Sequence, residues 1–381
     1  MTSRTGPGGA PKALGIYVHI PFCVKKCGYC DFLSFCAGED ERTAYVEALI
    51  REIKAAADAS PKGYTVSTVF VGGGTPSILD GDGIRRILGT IRDVYHFSDD
   101  VEITVECNPG TLDSHKLEAY RAAGVNRLSM GLQSADDLEL LTLGRIHTFA
   151  DFIESFGAAR DAGFDNINID LISAVPGQTF DSWKDTLSKT ADLKPEHISA
   201  YSLIIEEGTP FFRKYAEGAP FADMLPDEDE DRRMYAYTKD FLSERGYERY
   251  EISNYALPGR ECRHNLSYWE RVDYKGFGLG ASSLLENTRY KNTSDFAAYL
   301  KSDFSYEEVL PLSENDILEE RMFLGLRKTK GMRLDSTLER VYGGLISKLE
   351  SEGLVERGAD NVRLTDYGTD ISNYVFALFL L

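Results

Sequence analysis

Up to about residue 204 the chain alternates between short runs of strand character and longer segments of helical period. GIYVHI at 15–20, STVFVGG at 67–73, VEITVE at 101–106, NRLSMGLQ at 126–133, NINIDLIS at 166–173 and HISAYSLI at 197–204 read as strands. Between them lie helical spacings: Tyr45, Val46, Leu49, Ile50 and Ile53 within 39–57, then Ile84, Ile87, Leu88 and Ile91. Six strand-then-helix units predict a parallel sheet, because each crossover needs a helix to return the chain.

The strands themselves alternate. Ile16, Val18 and Ile20 oppose Tyr17 and His19, and Ile103 and Val105 oppose Glu102, Thr104 and Glu106. Leu128, Met130 and Leu132 oppose Ser129 and Gln133, while Ile167, Ile169 and Leu171 oppose Asn166, Asn168 and Asp170. Parallel strands covered on both faces by apolar layers read as continuous apolar runs, so a polar face here must line an interior. Polar groups in a closed small barrel are costly without partners. The expectation is an open barrel whose lumen takes a polar ligand. The alternative is an antiparallel sheet with one face in solvent.

The flanks are less regular. Residues 1–13 are rich in Gly, Pro, Ser and Thr and read as a disordered tail, with no apolar run of the kind a signal peptide needs. The run LPDEDEDRRMY at 225–235 predicts a solvated helix start, and YKGFGLGASSL at 274–284 is Gly-rich. From about 305 to 381 the pattern suggests a separate small module, in which LISKLESEGLVERGADNVRLTDYG reads as helix, hairpin, helix. That is the pattern of a winged-helix end.

Composition narrows the function. The chain has 381 residues, 43% of them hydrophobic and 27% charged, which excludes a disordered or fibrous chain. Its 42 basic and 61 acidic residues leave a net charge of −19, a poor match to nucleic acid. The terminal YVFALFLL is far short of the ~20 apolar residues of a membrane span, so a cytoplasmic location is expected. Of six cysteines, Cys23, Cys27 and Cys30 crowd into one loop after the first strand, and Cys36, Cys107 and Cys262 are scattered. Such crowding points to metal rather than to cross-links. Three thiolates suit a [4Fe–4S] cluster with one iron left for another ligand. Zinc is the alternative, with Cys36 or His19 as a fourth ligand.

GIYVHIPFCVKKCGYC, GGGTPS at 72–77, ECNPG at 106–110, GLQS at 131–134 and DLISAVPGQ at 170–178 together resemble the radical S-adenosylmethionine enzymes. More narrowly, the set is similar to the branch of coproporphyrinogen dehydrogenases and haem chaperones, from about residue 14 to 290. The resemblance implies an α/β fold, a partial (β/α)6 radical-SAM barrel with a small C-terminal winged-helix-like or helical domain. It also implies that Cys23, Cys27 and Cys30 bind the cluster, with S-adenosylmethionine closing the fourth iron. Tyr17 and Tyr29 would lie against cluster and cofactor, and Gly73, Gly74 and Thr75 would meet the cofactor's methionyl group. Glu106, Gln133, Arg145 and Asp170 would line the same cavity. Taken without the resemblance, Arg145 and Asp170 read equally well as a buried ion pair.

Two departures set the chain apart from the dehydrogenase pattern. Phe32 stands where a fourth cysteine would follow, and only sixteen residues precede Tyr17, leaving no counterpart to the segment that closes the substrate site. CRHNLSYW at 262–269 instead resembles the haem-chaperone signature. It implies His264 as a ligand of haem iron, an aromatic pair over the porphyrin, and Cys262 as a lesser haem contact; on chemistry alone His264 reads as a core residue. The expected function is therefore to bind haem and pass it to acceptor haemoproteins. An electron donor for the cluster, transient membrane-protein acceptors and a homodimer are the further partners, and no nucleic acid is expected. The rivals are oxygen-independent oxidation of coproporphyrinogen III and, less in keeping with the charge, a DNA-associated regulator.

Overall fold

The computed structural model describes residues 11–56 and 63–381. Six parallel strands form its centre: β1 (Lys12–Ile20), β2 (Tyr64–Gly73), β3 (Phe97–Cys107), β4 (Arg127–Gln133), β5 (Ile167–Ser173) and β6 (His197–Ser202). Parallel pairing throughout removes the antiparallel alternative. The expected tail at residues 1–13 falls mostly outside the described residues; Lys12 and Ala13 belong to β1, where they pair with Tyr64 and Thr65.

Six further strands extend the sheet on both sides. These are β7 (Glu248–Arg249), β8 (Asn254–Ala256), β9 (Tyr274–Phe277), β10 (Ser282–Leu285), β11 (Thr288–Asn292) and β12 (Tyr306–Pro311). The order is β12-β11-β10-β9-β1-β2-β3-β4-β5-β6-β8-β7, so the two ends never pair and the barrel stays open. β12 pairs with β11, which puts residues 306–311 in the large sheet rather than in the small module expected from 305. Its sequence, YEEVLP, has no apolar face to bury, and all six residues are exposed.

The apolar faces read from the sequence are the core. Ile16, Val18, Ile103, Val105, Leu128, Met130, Ile167 and Ile169 are fully buried against Leu49, Ile53, Ile84, Ile87 and Ile91 of the surrounding helices. Each such side chain contributes roughly 1.5–3 kcal/mol by leaving water. Side-chain oxygens start the helices: Asp80 accepts from the Gly83 N–H at 2.6 Å, Asp113 from Lys116 at 2.8 Å, and Thr148 with Asp151 forms a capping box. With helices on the outside, the polar faces turn into the lumen.

The C-terminal module has its own core of Met322, Leu326, Leu338, Tyr342, Ile346, Leu349 and Phe379. It carries the expected helix (Ser336–Ser351), hairpin and helix, the hairpin being β14 (Val355–Arg357) and β15 (Asn361–Leu364), with β13 (Met332–Arg333) alongside. Arg271 and Arg289 fasten it to the barrel through Glu320, at 2.7 and 2.6 Å. Among the described residues no helix is long and apolar enough to cross a membrane.

Candidate functional site

The loop after β1 is folded back on itself by the core. Phe22 packs edge-on against Phe35, Tyr45 and Phe296, and the backbone closes through Cys23 N–H to Phe35 O (3.0 Å) and Phe35 N–H to Pro21 O (2.9 Å). Farther along, Gly28 donates to Leu143 O and accepts from Phe211 N–H. A methyl group on Gly28 would stand 2.5 Å from the Phe211 ring, so this position needs glycine. Cys23, Cys27 and Cys30 are thereby held, half-buried, on one rim of a cavity of about 530 Å³ at the barrel mouth.

Most of the expected site residues meet in that cavity. Tyr29, Gly73, Gly74 and Thr75 line it beside the cysteines, and Glu106, Gln133, Arg145 and Asp170 complete it. Thr75 Oγ1 approaches Cys23 Sγ at 3.7 Å, and Arg145 Nη1 approaches Cys27 Sγ at 3.8 Å. Arg145 and Asp170 are not an ion pair. Arg145 donates to Asn108 Oδ1 (3.0 Å) and Gly131 O (2.9 Å), while Asp170 accepts from Ser129 (3.0 Å) and Asn168 (2.8 Å).

The donor set and the room fit a cluster with a bound cofactor. Gly73 has φ +121° and gives its N–H to Glu106 Oε2 at 3.0 Å. A methyl group on Gly74 would stand 2.7 Å from Phe22 O and 3.0 Å from Cys23 Sγ, so the glycines keep backbone open beside the thiols. The tetrahedral zinc set is not assembled. Among the described residues no three Cys, His, Asp or Glu side chains converge on one ion, Cys36 Sγ turns to Val24 O, and His19 is held by Tyr17 and Leu33 O.

Electrostatics mark the inner wall. Burial, with the nearby Asp170 carboxylate, pushes Glu106 up to about 8. Burial also raises Asp170, against the pull of its hydrogen bonds to Asn168, Ser199 and Ser129. Glu106 is common to three adjoining chambers: the mouth cavity, one of about 330 Å³ and an inner one of about 200 Å³. Tyr17 lies in the latter two rather than against the cysteines, with its hydroxyl on His19 Nδ1 at 2.9 Å.

His264 stands at the inner chamber, on the short helix Arg263–Trp269. Glu102 anchors that helix by accepting from the Arg263 and His264 N–H groups at 3.1 and 3.0 Å. The ring is 1% exposed and stacks on Phe70, with Nδ1 on Thr68 Oγ1 (2.8 Å) and Nε2 on the Tyr268 hydroxyl (2.9 Å). Burial, with the charge of Arg127, lowers its pKa to about 3 and keeps the imidazole neutral. His264 is thus not an open axial position as the protein stands, since both nitrogens are engaged.

The aromatic pair is also divided: Tyr268 faces the lumen, but Trp269 lies under the Arg327 guanidinium of the C-terminal module at 4.2 Å. Cys262 is fully buried against Glu102, its thiol pushed up to about 12 by burial, and offers no contact to a ligand. Asn108 and Gly131 are site residues that the sequence reading quoted within motifs without assigning. Asn108 ties Thr75 (2.9 Å) to Arg145, and a methyl group on Gly131 would meet Gln133, Arg145 and Asn108 within 3.2 Å. The available signals were a polar residue near Glu106 in ECNPG and a glycine on the same face as Gln133 in GLQS.

Residues 17–190 match the radical SAM superfamily, and residues 312–371 match the HemN C-terminal domain. The haem chaperone HemW of Lactococcus lactis is 37% identical over 374 residues, covering 96% of this chain and 97% of its own. HemW of Bacillus subtilis is 35% identical over 378 residues, covering 96% and 98%. HemW of Escherichia coli is 32% identical, again over 378 residues with 96% and 98% covered. Among solved structures, coproporphyrinogen III oxidase HemN of Escherichia coli shares the fold, with a TM-score of 0.82 over 98% of this chain and 91% of its own at 24% identity.

Proposed function

The chain belongs to the HemW haem-chaperone family of the radical SAM superfamily, and from that premise we propose that it binds haem and passes it to acceptor haemoproteins. One observation carries the reading beyond the family name. The cysteine-lined mouth and the chamber at His264 adjoin, sharing Glu106, Ser129, Asp170 and Tyr201 in their walls. Events at the mouth can therefore reach the haem motif through one shared wall.

Cys23, Cys27 and Cys30 would hold a [4Fe–4S] cluster, and S-adenosylmethionine would complete it. When bound, the pair supplies one-electron chemistry at the mouth. Gly73 and Gly74 leave backbone free for the methionyl group, and Glu106, Gln133, Arg145 and Asp170 orient the remainder. Lys25 and Lys26, beside the thiols on an otherwise acidic chain, suit the approach of an electron donor. His264 would take haem iron through Nε2. That nitrogen faces Tyr268, which lines two chambers, whereas Nδ1 faces Thr68, which lines neither. Ligation needs the Tyr268 hydroxyl to yield and the tautomer whose proton sits on Nδ1, toward Thr68; the low pKa keeps the ring from taking a second proton.

Titration of the reconstituted protein with haem, with a parallel assay for protoporphyrinogen formation from coproporphyrinogen III, tests this. The expected result is haem binding without turnover, a Soret band altered by His264→Ala, and tighter binding in Tyr268→Phe, where Nε2 is released. Turnover selects the oxidase. Unchanged haem binding in both variants makes the motif a packing element.

A further inference from the structure

Arg127, the first residue of β4, shares the inward face with Ser129, Gly131 and Gln133 and is 2% exposed. Its Nε has no hydrogen-bond partner among the described residues. Glu102 and Asp170 act on it through space, and neither forms an ion pair with it. Their oxygens are taken elsewhere, Glu102 by the start of the 263–269 helix and Asp170 by Ser129 and Asn168. A guanidinium buried in this state is costly to the fold unless something accepts its hydrogen bonds.

What it faces is the inner chamber of about 200 Å³, whose walls add Ser129, Asn168, Ser199 and Asn265. Planar donor forks of this kind match a carboxylate. The chamber is below the usual size of a site for a whole cofactor, yet it shares Glu106 with two larger ones. It therefore suits one arm of a ligand whose body lies in the adjoining chamber of about 330 Å³, which Tyr268, the partner of His264 Nε2, also lines. Burial raises both Glu106 and Asp170 on the same walls, which weakens their repulsion of an incoming anion.

We propose that Arg127 anchors a carboxylate subsite at the inner end of the lumen, and that its occupant is a propionate arm of a tetrapyrrole. The naming of the occupant rests on the haem reading above; the subsite itself rests on the unpartnered guanidinium.

The test compares haem with haem dimethyl ester, whose propionates carry no charge, by Soret titration of the full chain. Wild type is expected to bind the diacid about tenfold or more tighter than the ester. Arg127→Met should bring the diacid to the level of the ester without changing the ester's affinity, and Arg127→Lys should fall between. Equal binding of both forms by wild type overturns the subsite while leaving haem binding intact. Preference for the diacid that survives in folded Arg127→Met overturns it as well. If Arg127→Met does not fold, wild type and Arg127→Lys decide by the same comparison. If neither form binds, the haem reading falls, and propionate ion decides the subsite. Thermal stabilisation of wild type by sodium propionate over chloride at equal ionic strength, weaker in Arg127→Lys, keeps it; equal stabilisation by the two salts removes it.

Discussion

Glu106 carries its proton to about pH 8 in the fold but releases it near 4.5 when unfolded, because burial and the neighbouring Asp170 disfavour the charge. The stability it contributes is complete below about 4.5 and is lost as pH rises through 8. Cofactor-free Glu106→Gln should therefore gain on wild type in denaturant melts as pH goes from 5 to about 9; a constant difference would show that the carboxyl is solvated. Cys23→Ala, Cys27→Ala and Cys30→Ala should each lose iron–sulfur absorption after anaerobic reconstitution, whereas Cys36→Ala, whose sulfur points to Val24 O, should keep it. Full iron in Cys27→Ala would contradict the cluster assignment. Glu106, Gln133 and Asp170 were legible because alternation put them in the lumen before any motif was considered. Asn108 and Arg127 were not, since their roles depend on what lies across the cavity: Thr75 and Arg145 for the first, unbonded space for the second.

Strand alternation reads well because a period of two admits one buried face, and the four strands in which it picks a face, β1, β3, β4 and β5, bury that face. The helix Arg263–Trp269 reads less well. Seven residues make two turns, and which way Tyr268 and Trp269 point is settled by Glu102 at one end and by Arg327 on the flank. Glu102→Ala leaves the Arg263 and His264 N–H groups without their acceptor, so it should destabilise the protein by about 1–3 kcal/mol and lower haem affinity. Loss of stability with haem affinity intact would show that the helix position does not govern the haem motif. A thermal melt read beside a haem titration distinguishes the two.

At the scale of the molecule, the open barrel and the small second body were both legible, but not where one stops. The edge strand β12 has no burial pattern of its own and is recruited by pairing with β11, which no local signal announces. The resulting body has its mouth at the cysteines and its inner end at the Arg263–Trp269 helix, where Arg327 of the C-terminal module covers Trp269. An arrangement of this kind serves delivery if haem bound within it can leave for another protein. Haem-loaded chain mixed with an apo-haemoprotein, followed by the growth of the acceptor's Soret band, reads that step. Transfer should proceed with both propionates intact, and His264→Ala should carry less haem to the acceptor. Haem that stays bound, with no growth of the acceptor's Soret band, would contradict the chaperone reading.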